Sequence, residues 1–539
     1  MAFYRAHVLV DTGTPAVLKG AMAVKAALVE EITRRGLDRE IRVIETGDLG
    51  IHGGGPAIVV YPEGVTYAKV AATDVPEIVE EHLLKGRQVK RLVHSEPTAP
   101  VVESPTAPRS REMRVILKNV GVIDPTSIEE YIAVGGYDAL GKALTRMKPE
   151  EVIAEVKASQ LRGRGGAGFP TGLKWEFTAK SQGPGEKAIV CNADEGEPGN
   201  FKDRLILEGD PHSIIEAMVI AGYAVGAHKG YIYIRGEYYQ SVAHTERAIG
   251  VAREMGLLGT DIMGSGFNFD IEIFKGAGAY VCGEETALLE SLEGKRGESR
   301  TKPPFPPTHG LMGAPTVINN VETFANVPHI INNGAAWYCE IGTGQSKGTK
   351  IFSPCGDVLY PGVYEVPFGV TLRDIIYNMA GGIKNGRPMK AVLMGGPSGV
   401  VVGSESLDRK LCAEDLAPGA GALIVLNDEK CIVDLMHNCA QFFYHESCGQ
   451  CVPCREGTKR ILETLNWWTT GAGREEDIDL IQSLAGTLAL TSRCGLGQFA
   501  AIAFKSSLPL FEAEYRAHLR DKVCPAGVCA MDKVAVEVS

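Results

Sequence analysis

The chain has 539 residues, a formal net charge of −11 and 45% hydrophobic residues. That length accommodates several domains, and the composition is that of ordinary globular protein. The acidic balance argues against nucleic acid or an anionic membrane surface as a partner.

From the N-terminus, "RAHVLVDTG" reads as a strand, "AVKAALVEEITRRGL" as an amphipathic helix and "GPAIVVYPEG" as a buried strand ending in a turn. Residues 1–95 therefore form a small α/β unit. Met1 to Asp11 lacks the long apolar run of a signal peptide. "SEPTAPVVESPTAPRSRE" is rich in Pro, Ser and Thr and reads as an exposed linker over residues 96–112. Across residues 113–345, helical patterns such as "KPEEVIAEVKASQ" alternate with strand-like "KAIVCNAD", "GYIYIRGEY" and "FNFDIEIFKGAG". That alternation predicts a three-layer α/β domain. Residues 346–427 suggest a compact strand–helix–strand module, and residues 428–539 read mainly as helix. The longest uncharged apolar stretch, Ala217 to Ala227, is too short to span a bilayer. There is no internal repeat.

Two glycine-rich segments lie in the large domain. "LRGRGGAGFPTGLKWEF" follows a predicted helix, with Pro149 in its first turn and Val152, Ile153 and Val156 on one face. A dinucleotide fingerprint follows a strand instead, so this is not a standard Rossmann turn. Its glycines let backbone N–H groups approach a phosphate. Arg164 and Lys174 add positive charge, and Phe169, Trp175 and Phe177 suit a stacked ring. A purely structural loop is the competing reading. "CNADEGEPGNFKDR" puts Asn192, Asp194 and Glu195 at the end of a buried strand, where open α/β sheets bind ligands; a solvated acidic turn is the alternative. "KGAGAYVCGEETALLESLEG" leads into a helix with Glu284 and Glu285 at its start. There they complement the helix dipole or bind ribose hydroxyls. Lys302 and Phe305 follow in a stiff Pro-rich segment.

The thirteen cysteines are unevenly placed: none lies in residues 1–190, and eight lie in residues 431–529. In an acidic chain this usage points to a reducing compartment and to metal ligation. Cys448, Cys451 and Cys454 are spaced C-x2-C-x2-C. Structural zinc sites use pairs, whereas a [4Fe-4S] cluster takes three cysteines from such a run and one from a distance. Cys494, in the Gly-flanked turn "TSRCGLGQFA", is the expected fourth ligand. In the tail "YRAHLRDKVCPAGVCAMDK", the two thiolates of Cys524 and Cys529 with the His518 imidazole favour zinc over calcium or magnesium.

Taken in order, these motifs resemble the NADH-oxidising flavoprotein subunit of respiratory complex I and its soluble relatives. Those relatives are the diaphorase subunits of NAD-linked hydrogenases, formate dehydrogenases and electron-bifurcating complexes. The resemblance implies an α/β multidomain fold: a thioredoxin-like N-terminal domain, a Rossmann-like FMN/NADH domain, a ubiquitin-like SLBB domain and a C-terminal helical iron–sulfur domain. It implies that FMN is held by Gly163, Arg164, Gly165, Gly166, Lys174, Asn192, Asp194, Glu195, Gly283, Asn319 and Asn320. Phe169, Phe177, Glu284, Glu285, Lys302 and Phe305 would line the NADH site. Glu195 and Glu285 would take the catalytic positions, Glu195 by tuning or positioning the flavin. It also implies Cys431 as the fourth zinc ligand, with Cys439 the alternative; a free thiol pair or a domain remnant stays open for the tail.

Two departures from the family pattern stand out. Many relatives carry four [2Fe-2S] cysteines in residues 1–95, where the matching positions here are Asp11, Ala16, Asp48 and His52. Ala16 offers no donor, and carboxylates and imidazole replace thiolates poorly around iron–sulfur. No [2Fe-2S] cluster is expected there, and the unit is expected to dock a partner. The ferredoxin domain that often follows the tail in bifurcating relatives is likewise not expected here. In chemical terms NADH delivers two electrons as a hydride, a flavin accepts both and an iron–sulfur cluster takes them singly. The expected setting is a cytoplasmic multisubunit complex. Its partners would be a thioredoxin-like [2Fe-2S] subunit and an iron–sulfur catalytic subunit of hydrogenase, formate dehydrogenase or transhydrogenase type. A peripheral subunit of membrane complex I and a non-catalytic zinc-binding scaffold are the rival readings.

Overall fold

The structure is a computed structural model that describes residues 4–47, 49, 51, 55–94 and 112–531. The expected linker falls outside the described residues except for Glu112, and so do Asp48 and His52. Among the described residues, three sheets with their helices and a C-terminal helical region make up the architecture.

The first sheet contains β1 (Ala6–Val10), β2 (Ile41–Glu45), β3 (Ile58–Tyr61) and β4 (Val65–Tyr67), in the order β2-β1-β3-β4. β1 and β2 are parallel and the other pairs antiparallel. The helix Ala21–Arg34 buries Val24, Leu28 and Ile32, spaced four apart, against this sheet's core. The unit is pinned to the next domain where Thr14 donates from Oγ1 and N to the Glu208 carboxylate, at 2.5 and 3.2 Å.

The second sheet is fully parallel. Its strands are β5 (Ala188–Ala193), β6 (Lys229–Arg235), β7 (Asp270–Gly276) and β8 (Thr316–Asn320), in the order β7-β6-β5-β8. β5 is buried along almost its whole length, as expected of a parallel strand covered on both faces. After β5 the chain adds β6 and β7 on one side, then returns to place β8 on the other. The carboxyl ends of β5 and β8 thus flank a topological switch point, where open α/β sheets bind ligands.

The third sheet joins β9 (Thr349–Gly356), β10 (Tyr364–Pro367), β11 (Met389–Met394), β12 (Val400–Val402) and β13 (Ala422–Asn427), in the order β10-β9-β13-β11-β12. Buried Glu365 on β10 accepts the backbone N–H groups of Val115, Ile116 and Leu117 at 2.9–3.1 Å. The segment entering the second domain is thereby clasped by the third sheet. The helices Ile432–Glu446, Val452–Thr469 and Asp477–Thr491 follow, sharing a core in which Trp468, Phe504 and Tyr515 meet edge-on or tilted at 5.6–5.9 Å. Among the described residues no helix is long and apolar enough to cross a membrane.

Candidate functional site

A cavity of about 820 Å³ opens at the switch point. It receives Asn192 from the end of β5 and Ile318, Asn319 and Asn320 from the end of β8. The glycine loop contributes Gly163, Gly165, Ala167, Gly168 and Phe169, and the helix Thr171–Lys180 contributes Lys174 and Phe177. Gly283, Glu284 and Glu285 enter from the third side, with Lys302 and Phe305 beyond them. Two glycines in the loop are demanded by geometry. A Cβ on Gly165 would lie 3.1 Å from the Asn320 Cβ, and Gly166 has φ +119°.

The polar lining is fixed from behind. Trp175 is fully buried, and its Nε1 donates to Asn319 Oδ1 at 2.9 Å. Asn320 caps the helix Val321–Asn333, accepting from Glu322 N at 3.0 Å and donating to Asp203 Oδ2 at 2.6 Å. The N-terminus of that helix, with Thr323 on the cavity wall, favours an anion. Asn192 donates to Gly283 O at 2.9 Å, tying β5 to the third wall.

The charged lining forms one set. Lys302 Nζ donates to Glu284 Oε1 at 2.6 Å and Glu285 Oε1 at 2.8 Å. Lys174 Nζ lies 3.6 Å from Glu285 Oε2 and donates to Ile318 O at 2.8 Å. Burial opposes ionisation of Glu285, but Lys174 and Lys302 outweigh it and hold its pKa below the usual value. Burial lowers the Lys174 pKa, with Glu285 opposing. Glu284 also caps the helix Glu285–Leu292, accepting from Thr286 N and Ala287 N at 2.9 and 3.0 Å. Phe169, Phe177 and Phe305 keep about half their surface exposed at this cavity, so their faces are free to stack on a planar ring.

Four expected cofactor residues do not line the cavity. Arg164 is turned inward: its guanidinium donates to Arg162 O, Tyr338 Oη and Lys347 O at 2.7–2.9 Å and covers the Phe368 ring. The Arg164 charge thus braces the glycine loop from behind. Glu195 is buried and accepts the N–H groups of Lys202, Asp203 and Arg204 at 2.9–3.2 Å, capping the helix Lys202–Gly209. Burial, with the nearby Asp203 carboxylate, raises its pKa. Gly166 packs towards Ala420. Asp194 lies behind Gly283, and its carboxylate oxygens accept no hydrogen bond among the described residues; Arg235 Nη1 stands 3.8 Å away. Burial pushes the Asp194 pKa up to about 7 against the pull of Arg235. Trp175, expected beside a stacked ring, belongs to the core instead. Thr323 and Gly495 line the cavity without having been expected there.

Gly495 links this cavity to the cysteines, because its neighbour is Cys494. Cys448, Cys451, Cys454 and Cys494 all pack on the same helical core, and the other three lie close enough to raise the Cys454 pKa beyond the effect of its burial. Cys454 begins the buried face of the helix Val452–Thr469, and Cys494 caps the short helix Gly495–Phe499. Four thiols gathered on one helical core could supply the ligands of an iron–sulfur cluster. A tighter group does occur: the ligand atoms of Cys431, His518, Cys524 and Cys529 all lie within 4.8 Å of one another. Cys431 Sγ is 3.3 Å from His518 Nε2, and His518 Nδ1 lies 2.8 Å from Glu514 O, which orients the ring. Cys439 is not in this group.

For FMN, the fit rests on the close-packed glycine loop, the capped helix N-terminus and the lysine at the cavity. Comparisons with known proteins agree with that chemistry. Residues 156–329 match the Nuo51 FMN-binding domain, and residues 434–518 match the NADH-ubiquinone oxidoreductase-F iron-sulfur binding region. The chain is 49% identical over 429 residues to the NADP-reducing hydrogenase subunit HndC of Solidesulfovibrio fructosivorans, covering 79% of this chain and 87% of the relative. It is 47% identical over 416 residues to an NADH-quinone oxidoreductase subunit of Rhizobium meliloti, covering 76% of this chain and 99% of the relative. A solved NAD+-reducing [NiFe]-hydrogenase in the H2-reduced state matches with a TM-score of 0.67 at 32% identity, over 97% of this chain and 86% of that one.

Proposed function

The chain belongs to the family of NADH-oxidising flavoprotein subunits with an FMN-binding domain and a [4Fe-4S] region, and from that premise we propose how its residues divide the work. FMN, when bound, would supply the step between hydride and single-electron chemistry, and a [4Fe-4S] cluster would supply a one-electron acceptor. One observation carries the reading: the cavity that suits a flavin and a nucleotide also reaches Gly495, beside the cysteine expected to complete the cluster. Lys174, Asn319 and the N-terminus of the helix Val321–Asn333 would hold FMN. Glu284, Glu285, Lys302 and the three phenylalanines would seat NADH. Hydride transfer requires no protein acid or base, so these residues act by position and by excluding water. Glu195 then serves as a helix cap behind the flavin site. Asp194, with oxygens left unbonded beside Gly283, is the better candidate for sensing flavin charge.

Cys448, Cys451, Cys454 and Cys494 would ligate the cluster. Cys431, His518, Cys524 and Cys529 would hold one structural zinc that ties the tail to the helical core. The first unit would be a thioredoxin-like domain without a [2Fe-2S] cluster, and the third sheet an SLBB domain. We place the chain in a cytoplasmic hydrogenase, formate dehydrogenase or transhydrogenase complex, where iron–sulfur partners take the electrons. The test is purified protein with FMN and iron loaded, mixed with NADH and an artificial acceptor. Rapid flavin bleaching and acceptor reduction are expected; a fully loaded protein that NADH leaves oxidised refutes the reading. Metal analysis of a Cys524→Ser, Cys529→Ser double variant checks the zinc: one zinc is lost and iron is unchanged.

A further inference from the structure

Three arginines from separate stretches converge on the loop that carries the cluster cysteines. Arg296 Nη2 donates to Cys448 O at 2.8 Å. Arg455 Nη1 donates to Gly449 O at 2.8 Å. Arg493, next to Cys494, donates to Gln450 Oε1 and, at 3.1 Å, to Ser299 O. All three are exposed. Arg296 has a carboxylate neighbour in Glu298 at 3.4 Å and Arg455 one in Glu456 at 2.9 Å. With Glu298 and Glu456 beside two of the three cations, Arg493 is the one that no carboxylate among the described residues pairs with.

We propose that Arg296, Arg455 and Arg493 form a cationic collar that raises the midpoint potential of the [4Fe-4S] cluster. The inference rests on the cluster assignment above and goes beyond it by naming residues that ligate nothing. Four thiolates around a cubane leave a net negative charge, and reduction adds one more. A nearby cation stabilises the reduced form more than the oxidised form, so the potential rises. The transfer itself moves one electron from reduced flavin to oxidised cluster and neither forms nor breaks a bond. Two such transfers carry the pair delivered by one hydride. The collar shifts the equilibrium of each transfer towards the cluster. Its donation to backbone carbonyls and to the Gln450 amide oxygen, instead of to the sulfurs, holds the charges beside the loop without competing for the ligands.

The test is an EPR-monitored redox titration of the FMN- and iron-loaded protein. In Arg493→Gln the cluster should become about tenfold harder to reduce, which is about 59 mV for one electron. Arg493→Lys, which keeps the charge, should recover most of that shift. Arg296→Gln and Arg455→Gln should shift it in the same direction but less, because each arginine already faces a glutamate. Reduction of an acceptor that draws electrons directly from the flavin should not change. The difference in potential between wild type and Arg493→Gln should shrink as salt rises, because exposed guanidinium charges are screened. Iron-replete glutamine variants at the wild-type potential, a lysine variant shifted as far as glutamine, or a difference indifferent to salt would each overturn the collar. Loss of any [4Fe-4S] signal from the loaded wild-type protein would refute the cluster assignment instead.

Discussion

Replacing Lys202 with methionine tests whether the flavin pocket is held by a buried charge set. Lys202 is completely buried, and its ammonium lies 2.6 Å from Asp203 Oδ1 and 2.9 Å from Glu322 Oε2. Asp203 in turn receives the side-chain N–H of Asn320, which lines the cavity. Removing one partner of a buried pair costs about 3–5 kcal/mol, because the other charge is left in the interior. Here Lys350 still meets Glu322 at 2.7 Å, so Asp203 carries most of the deficit and the loss should be near the lower figure, about 3 kcal/mol. Urea unfolding of FMN-loaded protein, followed by flavin release and by far-UV circular dichroism, should show flavin lost at lower urea than in the wild type. The deficit should shrink in acid, where the stranded carboxylate takes up a proton. A loss below about 1 kcal/mol with unchanged flavin retention would refute the reasoning.

Trp175→Phe keeps the core filled but leaves Asn319 Oδ1 without its donor. At about 1.4 kcal/mol, within the range for a buried unsatisfied acceptor, FMN retention should weaken about tenfold; equal dissociation constants would exclude this support role. Lys302→Met leaves Glu284 and Glu285 facing NADH without their shared cation, so the KM for NADH should rise severalfold while flavin content holds. Steady-state kinetics with an unchanged KM would count against the clamp. Asp210 is buried, with one oxygen unbonded among the described residues, and burial pushes its pKa up to about 7 from an ordinary 3.8. A raised carboxyl pKa favours the folded state while the group is protonated, and that contribution is lost as pH rises through about 7. Asp210→Asn should therefore flatten the fall in stability between the two values, and parallel stability–pH curves would contradict this.

What the sequence disclosed follows the range of each signal. The iron–sulfur cluster was legible because three cysteines sit within one turn of chain, and thiolate chemistry narrows the choice of metal. In the tail, residue type pointed to His518, Cys524 and Cys529, the resemblance added Cys431, and the structure brings the four together. The large domain was readable from periodicity: Val152, Ile153 and Val156 mark a helix face, and "KAIV" marks a strand covered on both sides. Charge was the poorest guide. Arg164 and Glu195 lie in the motifs nearest the pocket, yet one braces the glycine loop and the other caps a helix. A motif gives proximity, but the direction of a side chain is set by donors and acceptors such as Tyr338 Oη and Lys202 N, far along the chain. Thr323 and Gly495 escaped notice for a related reason, because the cavity wall is assembled from segments whose neighbourhood only the fold creates.

In the proposed ligand set, the separation of Cys494 from the other three cysteines has a functional sense. A compact run of four ligands would allow the cluster to form anywhere on the helical core. If Cys494 is the fourth ligand, as proposed, the cluster would form beside the short helix Gly495–Phe499, whose Gly495 is on the cavity wall. Glu284 lies within electrostatic reach of Cys494 while it caps the helix that carries Glu285. The proposed nucleotide clamp and the proposed cluster site therefore adjoin one another. Two-electron chemistry on one side and one-electron chemistry on the other need such adjacency, since electron pairs must be split before they leave. In the proposed ligand set, the position of a single cysteine, remote in sequence, would impose it.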